Sequence, residues 1–165
     1  MSIQEFSLKV TDIISKRKIL PKVKSLNDFY AKNEAERSEI IRNKLSSTLK
    51  KAYETIPYYY ELSKQYNIKD CFLNFNIQNF HKIPTINKEK LIKNKNLLLR
   101  PELNEQIFYC FTNGSTGGRA LIAYNQDAAD WSSAVMTYCR KCHGHRLFNK
   151  ELHIATDTRS KELKD

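Results

Sequence analysis

Three of the chain's four glycines, Gly114, Gly117 and Gly118, fall within one stretch of five residues. The segments on either side, QIFYCF at 106–111 and ALIAY at 120–124, are rich in the β-branched and aromatic residues that favour β-strands. Glycine adopts the backbone conformations that a tight connection between strands requires. The pattern therefore predicts two strands joined by a glycine-rich loop, which is either a plain hairpin turn or a loop built to hold an anion.

The first part of the chain carries apolar residues at helical spacing, which predicts amphipathic helices. The first helix is expected over 3–17, with Pro21 as its breaker. A second helix is expected to begin near Ser25 or in the acidic stretch 34–39 and to run through residue 53. The apolar positions are Ile3, Phe6, Val10, Ile13 and Ile14 in the first stripe and Ile40, Ile41, Leu45, Leu49, Ala52 and Tyr53 in the second.

A proline and a run of tyrosines mark the next element. A short helix is expected to start on Pro57, because proline is favoured at the first helical position. The tyrosines at 58–60 are predicted to pack one or two rings on the core rather than to stack on a nucleic-acid base. Residues 67–80 are polar and contain several asparagines, so irregular structure is predicted there.

The stretch FHKIPTINKEKLIKN, residues 80–94, predicts a short extended piece, a turn at Pro84 and a helix. Asn87 or Thr85 is the expected cap of that helix, because both side chains can accept a hydrogen bond from a first-turn amide.

The second strand is followed by a predicted helix that Asn125 or Asp127 caps and Gly144 ends. Its expected apolar stripe is Ala128, Trp131, Val135, Tyr138 and Cys142. A last strand is predicted at 152–156 (LHIAT). We therefore expect an α+β chain, with a helical N-terminal half and then a partial β-sheet, which looks like the beginning of an α/β unit.

Composition limits the class of protein. The chain has 165 residues, of which 41% are hydrophobic, and this is too apolar for a disordered chain. It has no apolar run of membrane-spanning length and no signal peptide at its start, so the cytoplasm is the expected location. The net charge of +10 would attract nucleic acid or anionic lipid. No nucleic-acid-binding motif accompanies it, and neither a membrane nor a specific nucleic acid is an expected partner.

Cysteine and histidine cluster near residue 140. CRKCH at 139–143 matches the haem c attachment pattern, but such attachment needs export, and Cys142 continues the apolar stripe, so a place in the core is favoured. A small zinc-binding protein remains an alternative, with ligands among Cys139, Cys142, His143, His145 and His153. The thiols of all four cysteines are expected to be reduced.

The glycine-rich loop has the components of a phosphate site. Backbone N–H groups bind phosphate oxygens where no Cβ prevents close approach, hydroxyls add donors, and a cation balances the charge. Residues 112–119 supply glycines, Ser and Thr hydroxyls and Arg119. They form neither a Walker A loop nor a dinucleotide-binding fingerprint.

Four stretches, in the same order along the chain, resemble the phenylacetate–CoA ligase type of adenylate-forming enzyme. The most similar subgroup is the CapK-like capsular polysaccharide biosynthesis proteins, which share a helical N-terminal region. The resemblance covers about residues 40–155. The four stretches are AYETIPYYYEL at 52–62, FHKIPTINKEKLIKN at 80–94, TNGSTGGRA at 112–120 and AYNQDAADW at 123–131.

The resemblance implies an activity and a site. Such enzymes join a carboxylic acid to ATP, giving an acyl-adenylate and pyrophosphate, and then transfer the acyl group to a thiol such as that of coenzyme A. By resemblance, the loop binds the β- and γ-phosphates together with Mg²⁺, and no catalytic residue is assigned. The phosphate-binding residues implied are Thr112, Asn113, Gly114, Ser115, Thr116, Gly117, Gly118 and Arg119.

The chain departs from the family's pattern in two ways. Asn113, Gly118 and Arg119 stand where the family usually has Ser or Gly, Lys and Pro, which puts the phosphate affinity in question. The adenine-binding segments, the acyl pocket and the C-terminal lysine domain lie beyond the region of resemblance. We therefore expect an N-terminal helical region at 1–56 and the start of an AMP-binding domain at 57–165. This N-terminal fragment is expected to be inactive alone, as a truncated reading frame or one piece of a split protein. The alternatives are a non-catalytic basic binding domain and a small zinc- or nucleic-acid-binding protein.

Overall fold

The computed structural model describes residues 3–99, 106–112 and 118–145. These parts are mostly helical and contain one two-stranded antiparallel sheet, so the α+β expectation is confirmed for them. The predicted strand at 152–156 lies outside the described residues. No helix among the described residues is long and apolar enough to cross a membrane. The elements are α1 (Ile3–Ile14), α2 (Ile19–Ala31), α3 (Glu34–Thr55), α4 (Pro57–Gln65), α5 (Lys69–Leu73), a 3₁₀ helix (Ile77–Lys82), α6 (Lys88–Lys93), β1 (Ile107–Phe111), β2 (Leu121–Asn125) and α7 (Gln126–Cys142).

The first helix ends earlier than predicted, and Pro21 is not its breaker. Lys16 adopts a φ of 53°, in the left-handed region. The amide of Arg17 donates to the carbonyl of Asp12 at 2.9 Å, and the amide of Lys16 donates to the carbonyl of Ile13 at 3.4 Å. These two bonds form a Schellman motif that ends α1. Pro21 instead lies in the first turn of α2, where its missing N–H has no intrahelical partner to lose.

Of the two starts predicted for the second helix, the one in the acidic stretch is confirmed, because α3 begins at Glu34 and runs past residue 53, while α2 is a separate helix before it. The chain leaves the helical conformation at Lys32 and Asn33. Asn33 Oδ1 accepts from the amide of Glu36 at 3.0 Å, and the Glu36 carboxylate accepts from the amide of Asn33 at 3.1 Å. This reciprocal pair is a capping box, which starts α3 at a defined residue.

The region 67–80, predicted to be irregular, contains α5 and most of the 3₁₀ helix, so that prediction is wrong. Asn67, with a φ of 50°, ends α4 with a second Schellman motif. The chain then turns at once into α5, whose Cys71 and Phe72 are buried. The free energy gained by burying these two apolar side chains stabilises a helix within a polar segment. The polar composition of the segment therefore did not predict the helix.

A hydrophobic core lies between α3, α4 and α5. Phe72 is fully buried at its centre, and Tyr53 and Tyr59 pack their rings about 6 Å from its ring. The start of α4 on Pro57 and the packing of Tyr58 and Tyr59 against this core confirm two predictions. The buried members are Leu62, Ile68, Cys71 and Phe72, with Leu49, Tyr53, Tyr58, Tyr59 and Ile83 packed around them.

A second core joins α1 and α2 to α7. Ile19, Val23 and Ala134 are its buried members, and Leu8 and Leu26 pack against them. Ala134 is buried because a small side chain lets the helices approach closely.

The stripe predicted for α7 is not its buried face. Val135 and Cys142 are exposed, whereas Asp130 and Ala134 are buried. The core position expected for Cys142 is therefore wrong. The prediction missed the buried face because one of its members, Asp130, is a carboxylate that is buried through hydrogen bonds rather than through apolar contact.

Candidate anion-binding loop

The two strands that flank the glycine-rich segment pair with each other, as predicted. β1 and β2 are antiparallel, with Phe108 opposite Tyr124 and Phe111 opposite Leu121. The rings of Phe108 and Tyr124 stack with their centroids 5.7 Å apart, which supports this register on one face. The glycine-rich segment therefore connects the two strands of a β-hairpin.

The pairing extends one position beyond the strands, to Thr112 and Ala120. The amide of Thr112 donates to the carbonyl of Ala120 at 3.0 Å. The amide of Ala120 donates to Thr112 Oγ1 at 3.1 Å, and Ala120 is only 1% exposed. The Thr112 hydroxyl therefore has a structural role that sequence analysis missed, since it closes the two ends of the loop against each other. Its O–H is still able to donate one further hydrogen bond.

Gly118 lies against α6. A Cβ added at Gly118 would meet Ile92 Cδ1 at 3.2 Å, which is closer than ordinary van der Waals contact. Glycine at this position thus lets the backbone pass close to Ile92 of α6, which is a packing requirement. Arg119 is exposed beside the buried Ala120. The other predicted site residues, Asn113, Gly114, Ser115, Thr116 and Gly117, lie outside the described residues.

The second strand passes directly into α7. Asn125 is both the last residue of β2 and the N-cap of α7, and its Oδ1 accepts from the amide of Ala128 at 3.0 Å. Asn125 was one of the two predicted caps. Because no loop intervenes, the orientation of α7 determines that of β2 and so of the second arm of the hairpin.

Asp130 holds α7 to the turn between α1 and α2. Its Oδ1 accepts from Arg17 Nε and Gln126 Nε2, each at 2.8 Å, and its Oδ2 accepts from the amide of Lys18 at 2.8 Å. Burial alone would raise the pKa of Asp130, but the three hydrogen bonds and the charge of Arg17 lower it below its ordinary value. Asp130 is therefore a charged, fully engaged carboxylate that serves the fold.

Arg17 makes further contacts with α7. Its Nη2 donates to Ser133 Oγ at 2.9 Å and to the carbonyl of Ala129 at 3.2 Å. This group of contacts was not predictable from the sequence, because Arg17 and Asp130 lie 113 positions apart and belong to no common motif.

A cation of α2 itself also contacts α7. Lys22 pairs with Asp127, and its ammonium lies 4.8 Å from the centroid of the Trp131 ring. Lys44 of α3 lies 5.5 Å from the same centroid. Trp131 of α7 thus forms cation–π contacts with lysines of α2 and α3, which agrees with its expected packing role.

The described residues contain no group of three or more His, Cys, Asp or Glu side chains arranged to hold a metal ion. Cys139 and Cys142 are exposed free thiols. His143 Nδ1 lies 2.8 Å from the carbonyl of Cys139, a contact that satisfies one of the last carbonyls of α7. Within these residues, the CRKCH stretch forms a helix end.

Comparison with protein-family models, with curated proteins and with solved structures finds no match to this chain.

Proposed function

We propose that the chain carries the phosphate-holding loop of an adenylate-forming protein of the phenylacetate–CoA ligase and CapK-like type. The observation that carries the proposal is the mutual Thr112–Ala120 hydrogen-bond pair at the neck of a glycine-rich hairpin. A loop whose ends are fixed can present backbone N–H groups to an anion at a lower entropic cost than a loose one. The order of the four family-like stretches supports the same function.

The side chains at the neck suit a polyphosphate. Thr112 carries a hydroxyl, and Arg119 is an exposed residue whose guanidinium belongs to the type of group that forms strong charge-assisted hydrogen bonds to phosphate oxygens. No carboxylate lies among the described neck residues, 112 and 118–120, so this part of the loop favours an anion over a bare cation. Mg²⁺ would therefore arrive bound to the triphosphate of ATP, where it neutralises part of the charge.

The roles follow from this chemistry. Gly114, Gly117 and Gly118 give the phosphates access to the backbone, and Ser115 and Thr116 donate hydroxyl protons. In the reaction that the proposal implies, a carboxylate oxygen attacks the α-phosphorus of ATP and the bond to the bridging oxygen breaks. Pyrophosphate leaves with the electron pair, and the loop stabilises its charge. A thiol such as that of coenzyme A would later take the acyl group. The proposed location is the cytoplasm, where ATP is available.

Calorimetric titration of the chain with Mg·ATP and with pyrophosphate tests the proposal. Both should bind, and they should compete with each other. Replacing Ser115 and Thr116 together by Ala should weaken pyrophosphate binding by roughly a hundredfold or more, since hydrogen bonds to charged groups contribute about 1.5–3 kcal/mol each. Arg119→Gln should weaken it further and reduce its salt dependence.

Arg42→Gln is the matched control, because Arg42 is an exposed arginine of α3. It should leave binding unchanged. If Arg42→Gln and Arg119→Gln weaken pyrophosphate binding equally, the effect comes from net charge alone and the assignment of the site is wrong. Absence of any pyrophosphate binding would also overturn the assignment.

A second measurement separates binding from turnover. The family-like stretches include the phosphate loop but not the acyl pocket, so we propose that the chain binds Mg·ATP without exchanging pyrophosphate into it. Exchange by the purified chain in the presence of carboxylic acids would show that these residues complete adenylation themselves.

A further inference from the structure

The apolar stripe of α1 faces outward. Phe6, Val10, Ile13 and Ile14 are 57%, 38%, 68% and 77% exposed, respectively. Their spacing places them on one side of the helix. The opposite side carries Leu8, which packs on the α2–α7 core, and the buried Asp12. The helix is therefore held to the protein by its narrower face, while its broader apolar face has no cover among the described residues.

Lysines border this stripe. Lys9, Lys16, Lys18 and Lys24 line an open concavity of about 510 Å³ between α1 and α2, and the side chain of Ile13 also reaches it. These four lysines form no ion pair within the described part of the chain.

One carboxylate, that of Asp12, also lines the concavity, but it is already engaged. Its two oxygens accept from the amides of Ile19 and Leu20 at 3.0 and 2.7 Å. Both amides are in the first turn of α2, where the helix dipole favours a negative charge. The carboxylate therefore offsets the N-terminus of α2, and the concavity presents its positive charge outward.

We propose that α1 is a membrane-surface helix that docks on anionic lipid. Helices of this kind lie in the plane of the interface, with apolar side chains at the boundary between headgroups and acyl chains and with lysines among the headgroups. Phe6, Ile13 and Ile14 supply the first component, and the lysines that line the concavity supply the second. A negatively charged leaflet attracts each nearby lysine, and the attraction falls off within a Debye length.

Charge decides against the other occupants. A second copy of the chain would bring two lysine-bordered stripes together, and their repulsion would oppose apolar contact. Nucleic acid would neutralise the lysines but offers no matching surface for four aliphatic and aromatic side chains. The expectation that no membrane is involved rested on the lack of a spanning or signal segment, which a surface-lying helix does not need.

Vesicle sedimentation with the full chain tests the proposal. The wild type should bind phosphatidylcholine vesicles that contain roughly one-third phosphatidylserine and should bind pure phosphatidylcholine far less. Replacing Lys9, Lys16 and Lys18 together by Gln should weaken binding to the anionic vesicles by roughly a hundredfold, from the contribution of about one factor of five per lysine. Replacing Phe6, Ile13 and Ile14 together by Ser should weaken it at least as much.

Two matched controls separate the surface from bulk properties. The first replaces three exposed apolar residues elsewhere by Ser, namely Ile41, Ile77 and Met136. The second replaces three exposed lysines elsewhere by Gln, namely Lys50, Lys51 and Lys95. Both should bind vesicles within about twofold to threefold of the wild type, and circular dichroism should show unchanged helix content in all four variants.

Three results would overturn the proposal. One is equal binding to neutral and anionic vesicles, and another is equal loss in the α1 variants and the controls. The third is a stable dimer in sedimentation equilibrium that the apolar α1 variant dissociates, without vesicle binding, which would assign the stripe to a second copy of the chain. None of these readouts involves the glycine-rich loop, so they stand apart from the nucleotide-binding test.

Discussion

Arg17 Nε lies 2.8 Å from Asp130 Oδ1, and this contact joins the turn after α1 to the second turn of α7. Asp130 also accepts from the amide of Lys18, so backbone and side chain of one turn converge on a single carboxylate. Because α7 continues directly from β2, this carboxylate fixes the helix that carries one arm of the glycine-rich hairpin. The N-terminal helices thereby support the candidate site without contributing a residue to it.

Asp130→Asn should destabilise the chain by about 2–4 kcal/mol, because it leaves the partly buried Arg17 without its countercharge. Arg17→Met should cost a similar amount, and the double variant should cost less than the sum of the two. Urea unfolding of the four proteins measures this coupling. Additive effects would mean that the two side chains do not interact in solution. Asp28→Asn, an exposed carboxylate of α2, is the control and should change stability by less than about 0.5 kcal/mol.

The same carboxylate predicts a pH dependence of stability. The folded-state pKa of Asp130 is lowered, so the unfolded state binds the proton more readily. The contribution of Asp130 is therefore fully present above the ordinary pKa of aspartate, about 3.9, and is lost as the pH falls through the folded-state value. The difference in unfolding free energy between wild type and Asp130→Asn should be constant from about pH 7 to 5 and shrink below about pH 4. A difference that grows on acidification would contradict the sign of the shift.

Lys16→Gly should stabilise the chain by about 0.5–1 kcal/mol. Lys16 ends α1 with a φ of 53°, a conformation that disfavours a residue with a Cβ and that glycine adopts freely. Lys9→Gly is the matched control, because it makes the same change in charge and side chain within α1. It should destabilise by about 1 kcal/mol. Thermal unfolding of both variants checks the opposite signs, and a loss of stability in Lys16→Gly would refute the explanation.

Features that depend on residues close together in the sequence, such as helix caps and the hairpin connection, were predicted correctly. Asn87 and Asn125 accept from first-turn amides as the sequence indicated, and the glycine-rich segment does connect paired strands. Pro57 was correctly predicted to start a helix, whereas Pro21 was wrongly predicted to end one. Both prolines lie in the first turn of a helix, where proline is tolerated.

Features that depend on distant contacts were not predictable in the same way. Periodicity showed that α1 is amphipathic, but it could not show that Leu8 would pack inward while the broader stripe faced outward. No local pattern distinguished Asp130, the acidic residue that holds α7, because its partner Arg17 precedes it by 113 positions. At the neck of the loop, Thr112 was predicted to bind phosphate. Its hydrogen bond to the amide of Ala120 was not predicted, because that bond forms only when the two strands are paired.

Gly118→Ala should cost up to about 1 kcal/mol through its contact with α6. The new Cβ would lie 3.2 Å from Ile92 Cδ1, and Ile92 is 38% exposed, so this methyl can move by a few tenths of an ångström. Ile92→Val removes the δ-methyl and should abolish the cost of Gly118→Ala. Gly144→Ala is the control, because its cost arises from a φ of 76° with open space around it. That cost should persist in the Ile92→Val background. Unfolding measurements on Gly118→Ala and Gly144→Ala, each with and without Ile92→Val, decide whether the contact with α6 exists.

Thr112→Val should loosen the neck of the hairpin and destabilise the chain by about 1–3 kcal/mol. Valine keeps the shape and strand preference of threonine but leaves the amide of the buried Ala120 without its acceptor. Thr112→Ser retains the oxygen and should keep most of the stability.

The exchange rate of the Ala120 amide gives the direct readout for this substitution. It should rise in Thr112→Val and remain near the wild-type value in Thr112→Ser. Thr48→Val is the control, because the Thr48 hydroxyl donates to a carbonyl of its own helix and its loss leaves no buried amide unpaired. If Thr112→Val leaves Ala120 protected, the hydroxyl does not close the loop. The proposed phosphate site would then lose the observation that carries it, and pyrophosphate affinity would have to depend on the residues that the Ser115, Thr116 and Arg119 substitutions test.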